Sequence, residues 1–252
     1  MTASSIQFSL HALSLAQWRL PFDASAHGPA IDRHLLLNLW IILGLATLAH
    51  LILIIGLISR RHPEATSWRV EYLPLAALAI LFAFLTIRAE QLWAEARYTG
   101  AELTALQVQV TGEQFAWYFR YPGADYTFGA TKPQLVDAGA GNPLGIDPAD
   151  RHGADDIVTS ELVLPANRQV DLRINSLDVI HGFSVPEMRL KQNAVPGMTI
   201  HVHFTPTIPG TYAILCTQVC GLGHYRMNAN LRVLSPKEFA AWLTAKQKAM
   251  QR

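Results

Sequence analysis

From His34 to Ser59 the chain reads HLLLNLWIILGLATLAHLILIIGLIS, almost uninterruptedly apolar and without Asp, Glu, Lys or Arg. As a helix this run reaches about 39 Å, enough to cross a hydrocarbon layer of about 30 Å. A second run, YLPLAALAILFAFLTI from Tyr72 to Ile87, is followed by Arg88, Glu90 and Trp93. It is short by itself, but an Arg88 that snorkels and a Trp93 at the interface extend it to about twenty residues. The pattern predicts an arm over 1–33 and a membrane hairpin over 34–97, with spans at about 34–59 and 72–93. A signal peptide fits the first run badly, because too long an arm precedes it and it exceeds a signal core of about 7–15 residues. The connection SRRHPEATSWRV holds Arg60, Arg61 and Arg69 against Glu64 alone. The positive-inside rule places it in the cytoplasm, so the arm and everything after Trp93 lie outside.

Beyond about Tyr98 the period changes to two. ALQVQV (105–110), VDLRI (170–174), TIHVHF (199–204) and MNANLRV (227–233) alternate, punctuated by Pro122-Gly123, Pro165-Ala166-Asn167, Pro196-Gly197 and Pro209-Gly210. Short alternating strands with such turns predict a β-sandwich or barrel over 98–252. The tail SPKEFAAWLTAKQKAM predicts a helix, with Ser235 as cap, Pro236 in the first position and Glu238 completing a capping box. Phe239, Trp242 and Leu243 give it one apolar face. Residues 122–156 are rich in Gly, Pro and Asp and read as a long surface insertion. Between Asp137 and Glu161 stand six acids and one base, Arg151. The stretch is either a solvated loop or a docking surface for a basic partner.

Composition narrows the function classes. Charged residues are 15% of the 252, against about 25% in a typical soluble protein. Twenty Lys and Arg nearly cancel nineteen Asp and Glu, which argues against a nucleic-acid binder. Cys216 and Cys220 are the only cysteines. A disulfide-framework miniprotein, a four-cysteine zinc site and a ferredoxin-type cluster are excluded. No Cys-x-x-Cys-His occurs, so no c-type haem is attached.

The chemistry is concentrated in CTQVCGLGHYRM, residues 216–227, which places Cys, Cys, His and Met in one loop between two predicted strands. Soft sulfur with imidazole selects copper or zinc over hard cations, and the thioether argues for copper. A single blue-copper centre needs only one thiolate. Either one cysteine is redundant, or two bridging thiolates hold two copper ions that share an electron. A further nitrogen donor is required, and His181, in SLDVIHGFSVP at a strand end, is the candidate. His201 and His203 alternate with Ile200, Val202 and Phe204 and read as surface histidines.

Three segments together carry a family resemblance: CTQVCGLGHYRM, DVIHGFSVPEMRLKQNAVPGM (178–198) and GEQFAWYFRYPG (112–123). From His34 onward the chain resembles subunit II of the haem–copper cytochrome c oxidases. The resemblance implies a two-helix transmembrane hairpin, then a cupredoxin-like Greek-key β-sandwich bearing a binuclear CuA centre, and a C-terminal helix. It assigns Cys216 and Cys220 as bridges, His181 and Met227 to one copper, and His224 with the main-chain carbonyl of Gln218 to the other. Two positions depart from the family pattern. Gln218 stands where most members have a Glu whose carboxylate also ligates magnesium; a neutral amide is a poorer ligand for a hard cation, so no magnesium is assigned. Phe115 stands where many members carry the Trp that admits electrons, while Trp117 is retained; both are candidates for that role. Glu71 resembles a family carboxylate near a proton-uptake channel, or is an ordinary interfacial acid.

The resemblance implies electron transfer, from cytochrome c or a similar carrier through copper to haem in subunit I, where oxygen becomes water. It implies a bacterial inner-membrane location, a periplasmic copper domain, subunits I and III as partners, contact with lipid, and no nucleic acid. Two alternatives remain: the CuA subunit of a membrane nitric oxide reductase, and a membrane-anchored copper-delivery or thiol-redox protein.

Overall fold

A computed structural model describes residues 20–59 and 67–250. Two long helices come first, α1 (Gly28–Ser59) and α2 (Trp68–Arg97). Both are long and apolar enough to cross a bilayer, and their most apolar stretches bury nothing within the chain. Both exceed the expected spans. Helix α1 begins before His34 because Ser25 Oγ accepts from the Gly28 amide at 3.0 Å, and Pro29 occupies the first turn, where a missing N–H costs nothing. Asp32 and Arg33, which read as part of a polar arm, are therefore helical. Arg60, Arg61 and Glu64, on which the orientation argument leaned, lie outside the described residues.

Ten strands follow in two five-stranded sheets. The first sheet contains β1 (Leu106–Glu113), β2 (Ala116–Tyr121), β3 (Ile157–Thr159), β5 (Val170–Ser176) and β8 (Ile200–Phe204), in the order β3-β2-β1-β5-β8. The second contains β4 (Leu162–Pro165), β6 (His181–Val185), β7 (Leu190–Ala194), β9 (Gly210–Cys216) and β10 (Asn228–Leu234), in the order β4-β10-β9-β6-β7. Strands β1 and β5 run parallel, as do β4 and β10, so the chain crosses between sheets rather than meandering. Period-two alternation turns one face of most strands inward, whereas β4 and β6 are buried along their whole length. Val108, Val110, Trp117, Phe119, Leu172 and Ile174 meet Leu164, Phe183, Val185, Ile214, Leu231 and Val233 in one core. Asn167 (φ 59°) and Gly197 (φ 74°) take left-handed conformations at two of the expected turns.

The tail helix α3 (Pro236–Met250) closes the sandwich. Glu238 accepts from the Ser235 amide at 3.0 Å, completing the capping box, and Phe239 and Trp242 stack against each other over Tyr121. Segment 122–156 is not a loose loop. Arg120, buried beneath it, donates to Gly129 O at 2.6 Å and pairs with the buried Asp156. All six carboxylates between Asp137 and Glu161 are engaged internally. Asp147 pairs with Lys132, Glu161 pairs with Arg232, Asp156 pairs with Arg120, and Asp137, Asp150 and Asp155 accept from backbone amides. They fasten the insertion, and among the described residues Asp147, Asp156 and Glu161 are the ones paired with a cationic side chain.

The helices are clamped to the sandwich. Arg189 grips Asp32 with two hydrogen bonds of 2.7 Å and donates a third to Pro21 O. The Ala24 amide donates to Glu187 O and the Ala26 amide to Thr205 O.

Candidate metal centre

The donors of the Cys-His-Met motif converge because a hairpin holds both of its ends. Strand β9 ends at Cys216 and β10 begins just after Met227; the Cys216 amide donates to Met227 O at 3.2 Å. The intervening loop folds back so that the two Sγ atoms lie 3.9 Å apart. From Cys220 Sγ, Met227 Sδ and His224 Nδ1 are each 3.7 Å away. The Gln218 carbonyl is 3.2 Å from Cys216 Sγ, while its side chain is exposed. Strand β6 brings in the distant histidine: the donor atoms of His181, Cys216 and Cys220 all lie within 4.8 Å of one another. All six residues assigned from sequence are therefore in one place. His201 is exposed and paired with Asp171, and His203 faces Glu95 O at the base of the sandwich, both away from the cluster.

The protonation chemistry fits a soft cation. Both thiols are free. Burial, then the neighbouring Cys216 thiol, pushes the Cys220 thiol up to about 11. A metal must displace that proton, and its own charge reverses the local preference. A soft cation held there would touch both sulfurs, which stand 3.9 Å apart. His181 is fully buried; its Nε2 donates to Asp178 Oδ1 at 2.8 Å, and Nδ1 has no partner among the described residues. A buried nitrogen lone pair opposite a carboxylate-anchored N–H is how ligating imidazoles are held.

Asp178 was not singled out in the sequence, although its Asp-x-x-His spacing was visible. Burial opposes its charge, yet hydrogen bonds from His181 and from the Val179 and Gln114 amides hold its carboxyl below the usual range. Gln114 also donates through Nε2 to Cys220 O at 2.6 Å, bracing the loop. Gly112 leaves room for the ring: a Cβ there would sit 2.9 Å from His181 Cδ2 and 3.0 Å from Trp117.

The two aromatic candidates occupy different depths. Phe115 is 38% exposed and lies against the loop glycines Gly221 and Gly223. Trp117 is buried and meets His181 edge-on, ring centres 5.8 Å apart. Val219, Leu222 and Tyr225 stand out into solvent from the same loop. Glu71 is exposed in the first turn of α2, at the end of that helix remote from the sandwich.

Comparison with known proteins gives this arrangement a family. An alternative cytochrome c oxidase subunit 2 from Bradyrhizobium diazoefficiens is 38% identical over 141 residues, covering 55% of this chain and 50% of that protein. Cytochrome c oxidase subunit 2 of Thermostichus vulcanus is 34% identical over 137 residues, covering 54% and 32%. The chain thus spans half or less of the length of these curated relatives. Among solved structures, the periplasmic domain of subunit II of cytochrome oxidase from Bradyrhizobium japonicum aligns at 28% identity, covering 59% of this chain and 98% of that one, with a TM-score of 0.43. The family model for the periplasmic domain of cytochrome c oxidase subunit II matches residues 106–233. Because that match runs from the first strand into the last and takes in His181 and the whole Cys216–Met227 loop, the chain belongs to the cytochrome c oxidase subunit II family.

Proposed function

We propose that this chain is the electron-accepting subunit of a haem–copper terminal oxidase and holds two copper ions between Cys216 and Cys220. The observation that carries this reading is the pair of free thiols 3.9 Å apart on which imidazole and thioether donors close. Cys216, Cys220, His181, Met227 and His224, with the Gln218 carbonyl, are the groups that would hold the copper. When bound, copper supplies a one-electron couple shared by two ions. The chain's own contribution is rigidity: Asp178 fixes the His181 ring, Gln114 braces Cys220, and β9 and β10 pin both ends of the loop. Ligands held this way move little when charge arrives.

Phe115, Val219, Leu222 and Tyr225 offer an apolar face to a cytochrome c or similar carrier, with Trp117 behind it against His181. With copper held, the chain would supply electrons to haem in subunit I, and oxygen reduction and proton translocation would belong to the assembly with subunits I and III. The chain sits in a bacterial inner membrane through the hairpin 34–97, with residues 1–33 and 98–252 on the periplasmic side. Glu71 then lies at the cytoplasmic end, near proton uptake. The neutral Gln218 side chain gives no reason to add magnesium.

The test is electron paramagnetic resonance of the full chain loaded with copper in detergent, with copper counted per chain. Two coppers and a mixed-valence spectrum are expected. A four-line single-copper spectrum, or a Cys216–Cys220 disulfide without metal in the native assembly, overturns the reading. The haem protein that co-purifies separates oxygen from nitrogen-oxide chemistry.

A further inference from the structure

A cavity of about 280 Å³ lies where the helices meet the sandwich, among His27, Ile31, His34, Leu92, Trp93 and Arg97. Its size is at the lower end for small-ligand pockets, which run from about 300 Å³ upward, so it suits a headgroup with longer chains outside. Arg97 is its unsatisfied element. The guanidinium lies over the Trp93 ring at 5.2 Å and donates through Nη2 to Lys191 O at 3.2 Å. Its Nη1 is buried and has no hydrogen-bond partner among the described residues. An N–H shut away from solvent without an acceptor is costly unless one is supplied.

The surroundings say which anion. The other arginine of the cavity, Arg189, is already neutralised by Asp32. Among the described residues no carboxylate lines this cavity; Glu95 and Glu102 line the adjoining one. His27, its imidazole pushed down by burial, and His203 offer further ring nitrogens. The remaining wall is aliphatic, made by Ile31 and Leu35 of α1 and Ala89 and Leu92 of α2, and runs directly into the apolar spans. Trp93 is the type of side chain that marks the headgroup level.

We propose that this cavity binds the phosphate of an anionic phospholipid of the outer leaflet, which Arg97 Nη1 hydrogen-bonds while an acyl chain lies along Ile31, Leu35 and Leu92. A basic niche between helix ends recognises headgroups in this way. The site is separate from the metal centre, and its lipid requirement stands whether or not copper is bound.

The full chain in detergent, read by native mass spectrometry with phosphatidylglycerol, phosphatidylcholine or inorganic phosphate added separately, tests this. Phosphatidylglycerol should be retained at least tenfold more tightly than phosphatidylcholine. Arg97→Gln should weaken it at least tenfold, and Arg97→Lys should restore part of the loss. Ile31→Trp, which fills the cavity and leaves Arg97 in place, should also release the lipid while circular dichroism shows an intact fold. Equal retention of the two lipids, or unchanged retention in either the Gln or the Trp variant, overturns the proposal. Displacement of phosphatidylglycerol by an equal concentration of inorganic phosphate assigns the site to a free anion and overturns it too.

Discussion

Asp178 and His181 are joined by a 2.8 Å hydrogen bond that commits Nε2 and leaves Nδ1 as the ring's free nitrogen. Asp178→Asn keeps the shape but removes the anion that sets the tautomer. Such partners of ligating histidines are worth about 10–100-fold in metal affinity. Copper competition titration should show weaker binding by that order, and unchanged affinity would deny Asp178 its orienting role.

Gly112 makes a second constraint on the same ring. Gly112→Ala drives a methyl group to 2.9 Å from His181 Cδ2, against the flank of Trp117. Overpacking of this kind costs about 1–3 kcal/mol. Denaturant unfolding should detect the loss, and the copper spectrum should change because the ring is the group pushed.

Met227 is buried and of similar volume to leucine, so Met227→Leu should cost less than about 1.5 kcal/mol. It removes a weak soft ligand and leaves both thiolates. Copper stoichiometry should be kept while the reduction potential and electron distribution shift. A redox titration superimposable on that of the unaltered protein would remove Met227 from the ligand set.

The insertion should respond to acid. A hydrogen bond from Lys132, then one from the Ala149 amide, holds the Asp147 carboxyl below its ordinary value; the Ala130 and His152 amides do the same for Asp150. Folded-state values below the unfolded one mean that the stabilisation is complete above about pH 4. It is lost as pH falls through the depressed values. Hydrogen exchange, corrected for its intrinsic pH dependence, should show segment 130–152 opening below pH 4 before the sandwich does. Uniform protection down to global unfolding would contradict this.

Much of this was legible in the chain because period and spacing are local. Alternation located β1, β5, β8 and β10, and the Cys-Cys-His-Met spacing brought four donors onto one loop. His181 was singled out because the proposed copper pair needs another nitrogen donor, and the fold brings it to the two cysteines. The Arg120–Asp156 pair was not legible, since its members are far apart in sequence and meet only when the insertion folds over β2. The start of α1 was obscured because Asp32 and Arg33 resemble an arm, although the signals at Ser25 and Pro29 were present. The acidic stretch was legible only as charge: a count of carboxylates does not say which of them also tie the insertion together.

The grip of Arg189 on both Asp32 and Pro21 makes stalk and head a single lever. These contacts restrain the sandwich against the helices, which ties the height of Cys216 and Cys220 to the position of the apolar spans. On the proposed function, a partner that delivers or collects electrons would meet a target at fixed altitude, and cutting that grip would blur the altitude before it disturbed a single donor atom.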